Sequence, residues 1–214
     1  MRLFLSTALV VFGLSVAYTQ EAGIAFAKDD WGTLLERSTK EGKLLFIDVY
    51  ADWCGPCKMM DRNVYPDAEV GTFYNEHFIS AKFNAEEGEG IAISDQYGVE
   101  YLPTYLFLDG KGELVYKAVG YYEPAQLIQL GEKAIDPAYQ LTTLWANYED
   151  GDRSDDLLFR LTEALYESGN SRYLEVAKVY LEGQKDLSTP ENLMFMLNYG
   201  DGTDIDLFDF IIEN

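Results

Sequence analysis

Tyr50-Ala51-Asp52-Trp53-Cys54-Gly55-Pro56-Cys57-Lys58 contains the only two cysteines in a chain of 214 residues. An exported domain held together by disulfides would scatter several pairs along its length. A single closely spaced pair reads instead as a reactive dithiol or as half of a metal site. Zinc normally takes four ligands, whereas this chain offers two cysteines and one histidine, with no second cysteine pair. His77, beside Glu76 and ahead of a strand, reads as an ordinary helix-end residue. The acidic run Asp201-Gly202-Thr203-Asp204-Ile205-Asp206 lacks the ligand spacing of a calcium loop and reads as a helix cap, Thr203 with Asp206. Neither a metal nor a cofactor is expected.

The segments around the dithiol alternate between strand and helix. Upstream, Asp30 caps a helix with Trp31, Leu34, Leu35 and Ser38 on its apolar face, ending near Glu41-Gly42. Leu44 to Tyr50 is a nearly continuous apolar run of strand length, the pattern of a central strand covered on both faces. Downstream, Lys58-Met59-Met60 continues as a helix toward Val64, breaks at Tyr65-Pro66-Asp67, and resumes through Phe73 to Glu76. Phe78 to Phe83 is a second strand, followed by an acidic glycine loop over residues 86–90 and a short helix from Ile91 to Tyr97. Thr104–Leu108 and Leu114–Val119 flank Asp109-Gly110-Lys111-Gly112, a hairpin signal, and Pro124 opens a helix carrying Leu127, Ile128 and Leu130. The expected order is α-β-α-β-α-β-β-α.

The N-terminus supplies a compartment. Leu3 to Val16 is an apolar run interrupted by Ser6, Thr7, Gly13 and Ser15, short of the ~20 residues a membrane helix needs. With small residues at Ser15 and Ala17 it reads as a signal peptide over residues 1–17, with Thr19 as a second candidate end. A periplasmic or secreted location follows. Removing residues 1–17 takes away Arg2 and no acid, leaving 15 basic side chains against 37 acidic ones, net −22. Nucleic acid and anionic membrane surfaces are therefore poor partners, because both demand clustered lysine and arginine. Solubility accounts for the acidity.

The texture changes between Ala134 and Asp136, and every periodic segment beyond it is helical. Helices are expected from Asp136-Pro137 to Tyr148, from Ser154 to Glu167, from Ser171, and from Thr189-Pro190. The apolar positions are Leu157, Leu161 and Leu165 in the second; Tyr173, Val176, Ala177, Tyr180 and Leu181 in the third; and Leu193, Met196 and Leu197 in the fourth. Starts near 137, 154, 171 and 190 are spaced like half of a ~34-residue helical-hairpin repeat. A fifth helix starts at Asp204 and reaches Asn214 with Phe208, Ile211 and Ile212 still to be covered. The chain is therefore either the front part of a longer protein or a unit closed by its last helix. The expected organisation is a signal peptide over 1–17, an α/β domain over 26–133, and a helical repeat-like region over 134–214 that a partner protein could engage.

The segment from Tyr50 to Lys58 resembles the active-site signature of thioredoxins, and the element order over residues 26–133 resembles the thioredoxin fold, a central mixed sheet flanked by helices. Asp48 resembles the family's buried carboxylate and Lys82 its lysine partner. Tyr97-Gly98-Val99-Glu100-Tyr101-Leu102-Pro103-Thr104 is similar to the segment ending in the family's cis-proline, and Gly120 stands where the family places a glycine after the hairpin. Two departures concern substrate preference. Met59 to Val70 looks more like exported disulfide-reduction domains than like small cytosolic thioredoxins, and Leu102 replaces the usual β-branched residue before the proline.

The chemistry follows from the residue types. A free cysteine has a pKa of about 8.5, and its thiolate is the nucleophile. Cys54 lies between a strand and a helix, where unpaired N–H groups and the helix dipole favour an anion. It is the expected attacking thiol, and Cys57, one turn on, the resolving one. Gly55 is expected to permit a tight turn, and Pro56 suits the first helical turn. A carboxylate at Asp48 inside an apolar strand is costly unless paired or protonated, so Asp48 is either the base for Cys57 or half of a structural ion pair with Lys82. Pro103, expected cis from the resemblance, would present the backbone of Leu102 to an extended substrate, with Trp53 and Tyr101 forming a rim that Tyr121 and Tyr122 could extend. The leading expectation is an exported reductase of protein disulfides, because Gly-Pro between the cysteines is the pairing of thioredoxins with potentials of about −270 mV. A disulfide oxidase or isomerase, or a partner-binding scaffold, are the alternatives. Outside the cytosol a reductant also needs a membrane electron donor.

Overall fold

The structure is a computed structural model that describes residues 23–200. The expected signal peptide and the expected fifth helix with its Thr203–Asp206 cap lie outside the described residues. Among the described residues no helix is long and apolar enough to cross a membrane.

Among the described residues a five-stranded sheet carries the fold, with strands β1 (Phe26–Ala27), β2 (Leu44–Tyr50), β3 (Phe78–Asn84), β4 (Thr104–Leu108) and β5 (Leu114–Val119) in the order β1-β3-β2-β4-β5. β1 and β2 run parallel to β3, whereas β4 is antiparallel to both β2 and β5. Helices α1 (Trp31–Glu41), α2 (Gly55–Asn63), α3 (Ala68–His77), α4 (Glu89–Gln96) and α5 (Pro124–Ile135) flank it. The sequence pattern missed β1. Two residues are too few to show a period, and the strand is held by register with Ser80 and Ala81 and by the edge-on contact of Phe26 with Tyr65, centroids 5.1 Å apart.

Local chemistry sets the ends of the elements. The Thr33 N–H donates to Asp30 Oδ1 at 2.9 Å, capping α1, and Gly42 closes the helix in the left-handed region at φ 67°, donating its N–H to the Ser38 carbonyl. Asp67 accepts from the N–H groups of Glu69 and Val70, which restarts the chain as α3 after the break at Pro66. Alternation along β2 then divides the core. Leu45, Ile47 and Val49 join Leu106 and Leu108 of β4, Leu34 of α1 and Ile93 of α4 on one face. Phe46 joins Tyr105, Phe107 and Tyr116 on the other, with Met60, Tyr74, Leu127 and Leu130. Asp48, two residues past Phe46, projects on that second face.

Beyond α5 come a single 3-10 turn (Pro137–Tyr139) and helices α6 (Leu141–Glu149), α7 (Asp155–Glu167), α8 (Tyr173–Gly183) and α9 (Pro190–Tyr199). Two expectations need correction. The helix expected from Pro137 to Tyr148 is broken at Gln140, which turns extended at φ −67°, ψ 128°. The apolar face expected for α9 was rotated: Met196 is buried, but Leu197 is 60% exposed, and Phe195, Tyr199 and Asn192 take the inner positions. The cause is the neighbouring surface. Phe195 meets Tyr180 at 4.2 Å between centroids, and the Tyr180 hydroxyl donates to Asn192 Oδ1 at 3.0 Å, so one amide is favoured inside.

The helices do not hang free of the sheet. Leu144, Leu157, Leu161, Leu165, Val176 and Phe195 belong to the same apolar cluster as Tyr116, Ala118, Leu127 and Leu130. A polar clasp sits over this seam, where Lys133 Nζ lies 2.7 Å from Glu167 Oε1 and 3.1 Å from Glu163 Oε1, and the Tyr116 hydroxyl donates to Glu167.

Candidate active site

Strand β2 is buried from Leu45 to Val49, which fixes its carboxyl end rigidly, and the chain then turns directly into α2. Cys54 is the N-cap of α2. Its sulfur accepts a hydrogen bond from the Cys57 N–H at 3.1 Å, the interaction through which helix-terminal N–H groups favour a thiolate. Cys54 and Cys57 are joined in a disulfide, and each is 2% exposed. Pro56 occupies the first turn, where its missing N–H leaves no hydrogen bond unmade. The reason expected for Gly55 is not the one observed. Its φ is not positive, and a Cβ placed there would meet nothing within 4 Å, so the turn does not demand glycine and the space above it stands open.

Leu102 packs against Ala51, Cys54 and Cys57, and the Leu102–Pro103 peptide is cis. Gly120, at φ 100°, donates its N–H to the Pro103 carbonyl at 2.9 Å and accepts the Tyr105 hydroxyl at 3.0 Å, tying the end of β5 to the proline. Tyr101 and Trp53 stand on the surface, 57% and 68% exposed. Trp53 is oriented by its indole N–H, which donates to Glu86 Oε1 at 3.0 Å. Tyr122 turns partly inward, edge-on to Tyr105 at 5.9 Å.

The register of β2 with β3 places Asp48 directly beside Lys82. Asp48 is fully buried, and its Oδ2 lies 2.9 Å from Lys82 Nζ. Burial pushes the Asp48 carboxyl above its ordinary value; Lys82 and Tyr65 pull it back only in part. Lys82 feels burial in the opposite sense, but its acidic neighbours Asp48 and Asp61 more than offset it and hold the ammonium charged. The rings of Phe26, Tyr50 and Tyr65 surround that ammonium with centroids 5.4, 4.9 and 4.8 Å away.

Sequence reasoning missed three participants. Asp61 of α2 bonds Lys82 from the solvent side. It stands four residues after Cys57, on the same helix face, so the i, i+4 spacing was the signal for it. Tyr65 lies against Asp48 and carried no signal beyond its place in the helix break. Glu86 anchors Trp53 from the acidic loop that follows β3.

A cysteine pair at the N-terminus of the helix after a buried strand, the residue before a cis-proline packed on that pair, and a buried carboxylate on the same strand define the class of thiol-disulfide exchange proteins. Comparison with known proteins narrows the class. A family model described as a Thioredoxin-like domain matches residues 33–135. Thioredoxin H4 of Arabidopsis thaliana is 32% identical over 94 residues, 43% of this chain and 72% of that protein. Thioredoxin-T of Drosophila melanogaster is 39% identical over 70 residues, and the thiol:disulfide interchange protein DsbD of Pseudoalteromonas atlantica 30% over 86. The matches span 33% and 40% of this chain, but only 41% and 14% of those two proteins. A solution structure from Bacteroides thetaiotaomicron, described as a candidate disulphide-isomerase, is 38% identical with a TM-score of 0.50, covering 55% of this chain and 97% of that one. The chain belongs to the thioredoxin family of thiol-disulfide oxidoreductases.

Proposed function

We propose that the chain is an exported protein-disulfide reductase working through a Cys54/Cys57 dithiol-disulfide cycle. The observation that carries the reading is the placement of Cys54 at the N-cap of α2, its sulfur receiving the Cys57 N–H. In the reduced protein the Cys54 thiolate attacks one sulfur of a substrate disulfide. The substrate S–S bond breaks, the leaving thiolate takes a proton, and a Cys54–substrate mixed disulfide forms. Asp48, its carboxyl raised by burial, accepts the proton of Cys57. The Cys57 thiolate then attacks Cys54 Sγ and releases the second substrate thiolate. Two electrons have passed to the substrate, and the closed disulfide remains. Lys82 holds Asp48 in place and limits the cost of its charge. Trp53, Tyr101, Leu102 and Pro103, with the open space over Gly55 and Pro56, receive the substrate backbone.

The signal-peptide reading of residues 1–17 supports export, and export makes a membrane electron donor the source of the returning electrons. The Bacteroides thetaiotaomicron relative favours a second reading, disulfide isomerase, in which the mixed disulfide is resolved by another substrate cysteine. The test is capture with Cys57→Ser, which leaves Cys54 to attack but removes the resolving thiol. Substrate proteins linked to Cys54 and released by dithiothreitol are expected. Recovery of the bare variant alone would defeat both readings in favour of a scaffold, as would function retained after loss of both cysteines.

A further inference from the structure

The reductase reading leaves the helical region without a task, and the α7–α8 turn gives it one. Gly169 in that turn, at φ 72°, lies so close to Tyr101 that a Cβ there would stand 3.5 Å from its ring and 3.7 Å from Val119 Cγ2. The helical region therefore meets the sheet domain two residues from the cis-proline. On one side of this contact opens a cavity of about 470 Å³, walled by Tyr101, Val119 and Tyr122 from the sheet domain and by Tyr166, Ser171 and Tyr173 from the helices. Tyr166 is 48% exposed and stands edge-on to Tyr173, centroids 5.1 Å apart. The charged residue on the wall, Glu167, is engaged by Lys133 and the Tyr116 hydroxyl.

We propose, building on the reductase reading, that this cavity is a substrate subsite. It takes an aromatic or long aliphatic side chain from an extended segment of the substrate protein, two or three residues from the substrate cysteine. Continuity carries the placement. Leu102 touches Cys54 and Cys57, Tyr101 precedes it, and Tyr122 follows the Gly120 that is bonded to Pro103. An extended chain advances about 3.3 Å per residue, so a strand paired with Leu102 beside the cysteines passes Tyr101 with its next residues. The wall chemistry selects the occupant. Tyrosine faces offer broad, rigid apolar contact at low entropic cost, and with Glu167 already paired the subsite has no free charge to offer a charged side chain. The α7–α8 turn thus acts as a specificity wall supplied by the helices.

The test uses the full chain, reduced with dithiothreitol that is then removed. The probes are nine-residue peptides whose central cysteine is disulfide-linked to 2-nitro-5-thiobenzoate, with phenylalanine or alanine at the second and third residues on either side. Wild type is expected to reduce the phenylalanine peptides about tenfold faster than the alanine peptides, the order of effect of a buried aromatic anchor. Tyr166→Ala, and Ser171→Trp, which fills the cavity without removing a wall, should abolish that preference. Reduction of 5,5′-dithiobis(2-nitrobenzoate), too small to span the distance, should change less than twofold in either variant. Serine-for-cysteine peptides, titrated by calorimetry, read binding without turnover and should lose affinity in parallel. If wild type shows no preference, or both variants keep it, the subsite is wrong while the reductase reading stands. If wild type reduces none of these disulfides yet binds the phenylalanine peptide through Tyr166, the reductase reading falls and the subsite remains.

Discussion

Leu161→Ala tests whether the helices and the sheet are one cooperative unit. Leu161 is fully buried on α7, in the cluster that contains Tyr116 of β5 and Leu127 and Leu130 of α5. Truncating a buried leucine costs about 2–5 kcal/mol, because the transfer energy of the lost methyl groups is compounded by the cavity left behind. At roughly 2–4 °C per kcal/mol for a chain of this size, the melting temperature should fall by about 4–20 °C. Tryptophan fluorescence can follow the two parts separately. Trp31 of α1 lies edge-on to Phe83 of the sheet at 5.9 Å, and Trp145 of α6 stacks on Tyr148 at 5.5 Å. With Trp53→Phe as background and one further tryptophan replaced by phenylalanine, each remaining indole reports its own side of the seam. A shared core requires both transitions to coincide in the parent and to move down together in the Leu161→Ala variant. A fall reported by Trp145 while the Trp31 transition stays in place would refute the shared core.

Three further outcomes follow. Because burial raises the folded-state pKa of Asp48, the fold binds that proton more tightly than the unfolded chain; the associated stability is complete below the ordinary aspartate value of 3.8 and is lost as pH rises through the folded value. Asp48→Asn should therefore melt higher than wild type at pH 7, with the gain vanishing toward pH 3.8, while its second exchange step slows; a lower melting temperature at pH 7 would contradict this. Asp61→Asn leaves Lys82 to Asp48 alone, so the pH dependence of exchange by Asp61→Asn should shift toward lower pH, and an unchanged profile would show that Asp61 has no influence on Asp48. A Cβ on Gly90 would lie 1.9 Å from the Asn84 carbonyl oxygen, so Gly90→Ala should cost about 1–3 kcal/mol in chemical denaturation, and a neutral result would mean that α4 moves freely from β3.

Much of the fold was legible because its signals are local. Asp30 and Gly42 bound α1 through bonds to near neighbours in the chain, and the apolar run of β2 could be satisfied only in the middle of a sheet. The cysteines, Asp48, Lys82 and Pro103 were singled out through the family resemblance, and the register of β2 with β3 sets Asp48 beside Lys82. What escaped depends on contacts between distant segments. β1 exists only because β3 offers it an edge, and α9 turns Phe195 and Tyr199 inward because Phe159 and Tyr180 are there to meet them. The docking of α6 and α7 on β5 was equally invisible, since an amphipathic helix announces that it has an apolar face but not which surface will cover it. Gly55 was assigned the wrong reason, because sequence shows a glycine without showing whether φ or open space requires it.

The central claim, that Cys54 and Cys57 are a reducing couple, is tested most directly by equilibrating the oxidised and reduced protein in glutathione redox buffers and reading the disulfide fraction. A potential of about −270 mV is predicted, and one between about −120 and −180 mV would make the chain an oxidant or isomerase instead.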